Sequence, residues 1–305
     1  MKLSQECTGT ADFLIRSRLA GLSAFREFVT GSIGRAEFQN ALTAERPEDW
    51  GLNEDQFNLA TRLSVDDESA VDGMLARLHS DGILPKSGYD KERFAQFRDR
   101  VAAELDHGDH LTFIFPEEAR LLYAVAEITA PARVLFLGSY YGYWAIWALP
   151  AIAAAGGTAV LIDPDAEVLD LSAANTLRLG YAGVCTFVCE DAVAYLEREP
   201  TGCDFVVLDA EGPTAEGPAD RRGKAIYGPL TAVVTPLLRP GGLLLAHNIL
   251  LDNLTDNNYF AGRIAHNIKQ FTEFSRILER HYDRALNLPT SEGTGAYRRA
   301  VQDTG

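Results

Sequence analysis

Val134-Leu135-Phe136-Leu137-Gly138-Ser139-Tyr140-Tyr141-Gly142-Tyr143-Trp144 decides how the rest of the chain is read. Its four leading apolar residues have the length and texture of a buried parallel strand. The run breaks at Gly138, and Gly142 follows four residues later. An apolar helical run from about Ala145 to Ala155 comes next. Strand, glycine turn and helix make a geometry in which turn amides and a helix N-terminus face a bound ligand. An ordinary tight βα turn would use the same glycines, so the ends of the later strands must decide between the two.

Downstream the pattern is regular. Strands are expected at Val134–Leu137, Ala159–Ile162, Cys185–Val188, Phe205–Leu208 and Leu243–Ala246. Helices are expected between them at Glu167–Leu179, Ala192–Arg198 and Tyr227–Leu238, and a long one at about Tyr259–Tyr282. This alternation predicts an α/β fold with a mostly parallel, doubly wound sheet. Ala285–Leu288 and Ala296–Val301, around Ser291-Glu292-Gly293-Thr294-Gly295, would close it as an antiparallel hairpin.

In such a sheet ligands sit beyond the carboxyl ends of the strands. Those ends here are polar: Asp163, Asp191, Asp209 and His247-Asn248. Asp163, about 20 residues past the glycine turn, suits a ribose diol or an Asp-Pro surface turn. Asp191 suits an adenine amine or the cap of the helix starting at Ala192. With Gly138-Ser139 after the first strand, five strand ends in register along one edge favour a ligand site.

Ahead of this region, Thr10–Ile33 carries apolar residues on one helical face, and Asp55–Leu63 forms another helix. Ser64 is placed as the N-cap of the next helix, and Lys91–Leu105 is a charged amphipathic helix. Residues 1–110 thus read as an N-terminal helical domain, a generic bundle or a winged-helix-like unit, serving as lid or dimerisation domain. Asp106-His107-Gly108-Asp109-His110 has metal-binding residue types but is read as a polar connector, and it marks the boundary. Residues 111–305 form the second domain, opening with a helix from Pro116 to Ile128 that carries Glu117 and Glu118 in its first turn.

Composition excludes several roles. Net charge is −15, and acid exceeds base on both sides of residue 110. Nucleic acid and anionic membrane are therefore not expected as partners, since phosphate binding needs clustered positive charge. Cys7, Cys185, Cys189 and Cys203 lack metal-ligand spacing and are read as buried apolar thiols of a cytoplasmic protein. No apolar run reaches membrane-spanning length.

Phe136 to Asn248 resembles a class I S-adenosylmethionine-dependent methyltransferase domain. In texture it is similar to the catechol and caffeoyl-CoA O-methyltransferase branch. Gly138-Ser139-Tyr140-Tyr141-Gly142-Tyr143, Ile162-Asp163-Pro164-Asp165, Leu208-Asp209-Ala210, Leu237-Leu238-Arg239-Pro240-Gly241-Gly242 and His247-Asn248-Ile249-Leu250 carry the resemblance. It implies a Rossmann-like sheet binding S-adenosylmethionine. Gly138, Ser139, Tyr140, Tyr141 and Gly142 would hold the methionine part, Asp163 the ribose and Asp191 the adenine amine. Metal-dependent relatives hold a divalent cation at the positions of Asp209 and His247-Asn248, with Asp in place of His247. Imidazole shifts the preference toward Zn²⁺ or Fe²⁺, or leaves the site without a metal.

Relatives also place a base lysine shortly after the Asp209 position. Lys224 is its candidate here, displaced by an apparent insertion from Pro213 to Gly223, and His247 is the other candidate base. The implied activity is O-methylation of a small-molecule metabolite by a homodimer, with Asp209, Lys224 and His247 as catalytic residues. Two alternatives remain. Phe136 stands where relatives carry an acid, and Tyr140–Trp144 is unusually aromatic, which would suit aminocarboxypropyl chemistry releasing methylthioadenosine, by transfer or ring closure. Phe136 and His247 would equally suit a non-catalytic interaction protein.

Overall fold

A computed structural model describes residues 9–199, 201–213, 215 and 218–301. Thirteen α-helices lie among them: α1 Ala11–Leu19, α2 Ser23–Val29, α3 Arg35–Leu42, α4 Glu54–Leu59, α5 Asp67–Ser80, α6 Lys91–Glu104, α7 Pro116–Thr129, α8 Leu149–Ala154, α9 Ala166–Arg178, α10 Ala192–Arg198, α11 Tyr227–Val234, α12 Ala261–Gln270 and α13 Thr272–His281. Seven strands form one sheet: β1 Arg133–Leu137, β2 Thr158–Asp163, β3 Cys185–Cys189, β4 Cys203–Leu208, β5 Leu238–Ala246, β6 Tyr282–Leu288 and β7 Thr294–Arg299. Their order is β3-β2-β1-β4-β5-β7-β6. The first five are parallel, and β7 runs antiparallel to both β5 and β6. This is a Rossmann-like sheet, mostly parallel, with an antiparallel closing hairpin.

Strand residues alternate between two buried faces, as a sheet covered on both sides requires. Val134, Phe136, Leu161, Phe205 and Val207 pack under α5, α6, α7 and α8. Leu135, Leu137, Ile162, Val206 and Leu208 pack against α10, α11 and α13. A third apolar cluster joins α1–α4 to Phe115, Leu250, Phe260 and Ile264. No described helix is long and apolar enough to cross a membrane.

Five local expectations change. The Tyr227–Leu238 helix ends at Val234, and Leu238 opens β5 instead. The Thr10–Ile33 helix is two helices, α1 and α2, separated at Ala20-Gly21-Leu22. Glycine in a helix interior costs about 1 kcal/mol, and the break lets Leu22 and Phe25 reach the third cluster. The long C-terminal helix divides at Phe271, which turns into the core beside Tyr227 and Phe274. The N-cap of α5 is Asp66, whose carboxylate accepts from Ser69 N at 3.0 Å, and not Ser64, whose carbonyl accepts from Arg16 Nη2 at 2.8 Å. Cys189 is exposed, because β3 is an edge strand covered only in part. Burial pushes the thiols of Cys185 and Cys203 up to about 12. Cys7 lies outside the described residues.

Candidate active site

Register brings the polar strand ends together. Leu137 pairs with Ile162 and with Leu208, and Leu208 pairs with Ala246. Gly138, Asp163, Asp209 and His247, each one residue further on, therefore share one edge of the sheet. β1 lies between β2 and β4, so strand order reverses there and the helices diverge, opening a crevice. The crevice is a cleft of about 760 Å³, within the size range of small-molecule sites.

At one end stand Gly138, Tyr140, Asp163 and Asp191. Gly138 has φ +78, and a Cβ there would lie 2.4 Å from Ala210 Cα. Only glycine lets the β1 turn sit this close to the segment after β4. The turn's amides are used internally, contrary to the expectation that they face a ligand. Gly138 N and Ser139 N both donate to Ile162 O at 3.1 Å, and Gly142 N donates to Ser139 O at 2.9 Å. Tyr140, at φ +49, donates its amide to Asp163 Oδ2 at 2.8 Å. Burial raises the Asp163 carboxyl, and the amides of Tyr140 and Asp165 act against that rise. Asp191 is the N-cap of α10, accepting from Ala194 N at 2.9 Å, and it lies 3.5 Å from Arg221 while still facing the cleft.

Three proposed cofactor residues do not line this cleft. Ser139 borders a separate cavity of about 40 Å³ with Phe136, Tyr143 and Trp144. Tyr141 is fully buried, with its hydroxyl 2.8 Å from His107 Nδ1. Gly142 packs on Ser172, whose Oγ would be 2.3 Å from a Cβ. Successive residues of a tight turn face opposite ways, so only Tyr140 of the aromatic run reaches the cleft. The Asp106–His110 stretch is a connector: Asp106 pairs with Arg178 at 3.2 Å, and His110 Nδ1 lies 3.0 Å from the Tyr140 hydroxyl.

The centre of the cleft is a charged chain. Lys224 Nζ donates to Ala210 O at 3.1 Å and lies 3.4 Å from Asp209 Oδ1 and 3.7 Å from Glu211 Oε2. Asp209 Oδ1 also accepts from His247 Nδ1 at 3.2 Å. On the far side, His247 Nε2 lies 3.0 Å from Glu118 Oε2, a charge contact without hydrogen-bond alignment. Burial opposes a charge on His247, but Asp209 and Glu118 outweigh it and raise the ring to about 10. For Asp209 burial works upward, yet His247 and Lys224 hold its carboxyl below the usual value. Its two carboxylate neighbours thus hold His247 toward the imidazolium form, which works against its use as a general base.

The same geometry argues against the proposed metal set of Asp209, His247 and Asn248. An imidazolium has no lone pair for a cation, and Asp209 is already bound to two positive groups. Asn248 Nδ2 lies 3.4 Å from Glu292 Oε2. Among the described residues no group of three or more His, Cys, Asp or Glu is placed to hold a metal.

Several cleft residues escape sequence reasoning. Asp55, from α4, and Glu292, from the closing hairpin, both grip Arg263. Arg221 comes from the insertion after β4, of which Thr214, Glu216 and Gly217 lie outside the described residues. Glu118 reads as an acid complementing the N-terminus of α7, and it does accept the Phe115 amide at 2.9 Å.

Residues 135–249 match the family profile described as "Methyltransferase domain". Among solved structures, the fold is similar to SAH-bound methyltransferase PaMTH1 of Podospora anserina. The identity is 18%, the TM-score 0.50, and 69% of this chain and 87% of that one are covered. A putative O-methyltransferase from Klebsiella pneumoniae gives 19% identity and TM-score 0.49 over 70% and 92% of the two chains. TomG of Streptomyces achromogenes, an O-methyltransferase in complex with SAM, gives 18% and 0.48 over 77% and 99%. No curated protein matches the chain.

Proposed function

We propose that this chain is a class I S-adenosylmethionine-dependent methyltransferase that methylates a hydroxyl of a small-molecule acceptor; the methyltransferase-domain match at residues 135–249 supports the methyl-transfer part. The observation that carries the acceptor chemistry is Lys224 held against Asp209 at the centre of the cleft. The acids at one end fit a nucleoside: Asp163 and Asp191 offer acceptors to a diol and an amine, and Gly138, beside Asp163, lets the β1 turn close against Ala210. When bound there, S-adenosylmethionine supplies an electrophilic methyl group on a sulfonium.

The residues beyond it prepare the acceptor. Lys224, as a cation, stabilises the acceptor oxygen as its proton leaves. That proton leaves to solvent. Asp209 fixes the ammonium in place, and His247 with Glu118 behind it keeps Asp209 ionised. Attack then needs the oxygen held in line and close, which the cleft walls provide.

The aminocarboxypropyl reading gains no support, because Tyr141, Tyr143 and Trp144 are buried away from the cleft. The test is product identification by mass spectrometry. S-adenosylhomocysteine should form only when an acceptor is added, and Lys224→Met should lower kcat by about 10²-fold while leaving cofactor affinity within about twofold. Methylthioadenosine formed without acceptor would contradict the proposal.

A further inference from the structure

Every lysine and arginine on the described cleft wall already has carboxylate partners. Lys224 faces Asp209 and Glu211 at 3.4 and 3.7 Å. Arg263 holds Asp55 at 3.1 Å and grips Glu292. Arg221 lies 3.5 Å from Asp191. Against these three cations the wall carries six acids: Asp55, Asp163, Asp191, Asp209, Glu211 and Glu292. Counting His247 as an imidazolium leaves acid still in excess.

This pairing selects the charge of the acceptor. An anionic acceptor would have to draw Lys224 or Arg263 away from a partner. For Arg263 that strands Glu292, which is 1% exposed, and an uncompensated buried carboxylate is costly. A cationic acceptor breaks no pair. Glu211, at 62%, is the most open charged side chain on this wall, and Asp55, at 38%, is as open as Arg221, at 39%. A net charge of −15 adds a long-range field that draws cations and repels anions. Apolar body is accommodated by Leu111, Phe113, Ile226 and Leu230 on the same wall.

We infer that the acceptor is a small hydroxylated amine taken as its ammonium form, with Asp55 and Glu211 facing the ammonium. Carboxylates, phosphate esters and coenzyme A thioesters are excluded from the same cleft. The hydroxyl rests on the methyl-transfer reading above; the charge preference does not.

The test uses phenols matched in threes on one skeleton: tyramine with an ammonium end, tyrosol with a hydroxyl end, and 4-hydroxyphenylacetate with a carboxylate end. Two further triples of longer and shorter chain complete the set. Binding to the full-length protein saturated with S-adenosylhomocysteine is measured at about 0.02 and 0.5 M salt. In at least one triple the amine should bind roughly tenfold or more tighter than the acid, with the gap narrowing at high salt. Glu211→Lys should cut that ratio by about tenfold. An acid binding as tightly as its amine, or no amine of the set binding, would overturn the inference. An amine that binds but yields no S-adenosylhomocysteine from S-adenosylmethionine would instead count against methyl transfer and leave the charge preference standing.

Discussion

Glu117 and Glu118 are neighbours in sequence with different surroundings. Glu118 meets a cation, His247, at 3.0 Å. Glu117 meets none at that range: Oε1 accepts from Ser291 N and Oγ at 2.8 and 2.6 Å, and Oε2 is buried without a partner. Burial first and Glu118 second push the Glu117 carboxyl up to about 7, from 4.5. The folded chain thus keeps a proton that the unfolded chain gives up. Stability from this group falls as pH rises from about 4.5 to about 7 and stays low above it. Glu117→Gln removes the charge while keeping an acceptor for Ser291. Urea unfolding should find the variant about 1–3 kcal/mol more stable at pH 8 and level with wild type near pH 4.5. A variant no more stable at pH 8 would contradict this account of Glu117. That Gly138, Asp163, Asp209 and His247 share one edge of the sheet was legible in the sequence, because each directly follows an apolar run. The protonation of His247 was not, because Glu118 reaches it from a helix 129 residues earlier.

The elements were legible where period and strand length agree, and less so where a helix turns inward. β1–β4 keep their expected places to within two residues, since a run of apolar residues between turn signals has one way to be buried on both faces, whereas β5 starts five residues early, at Leu238. The splits at Gly21 and Phe271 were hidden, because apolar spacing continues across each break while the chain changes direction. Docking of the N-terminal helices was also hidden. It depends on Arg62, just after α4, which is 4% exposed. Its guanidinium donates to Ser291 O and Leu254 O at 2.6 Å and to Thr290 O at 2.5 Å. Burial, with Arg35 adding to it, lowers Arg62 to about 10. Arg62→Met keeps much of the volume and strands three carbonyls beneath the closing hairpin. Chemical denaturation should show a loss of about 3–5 kcal/mol. A loss under about 1 kcal/mol would mean that the hairpin is held by its apolar contacts alone.

At the scale of the molecule, a sheet with two covered faces positions the site, and a third apolar cluster brings α4 and α12 together at its rim. The sequence made the first part readable through its β/α alternation. It did not make readable that Asp55, Arg263 and Glu292 meet, because they come from three distant segments whose only shared signal is charge. The central claim is that the edge formed by Gly138, Asp163, Asp191 and Asp209 binds the S-adenosyl cofactor. Calorimetric titration of S-adenosylhomocysteine into the folded protein, with Asp163→Ala beside wild type, tests it most directly. The account predicts saturable binding by wild type and affinity weakened about tenfold or more, near 1.4 kcal/mol, in Asp163→Ala. No binding by folded wild type, or an unchanged affinity in the variant, would contradict it.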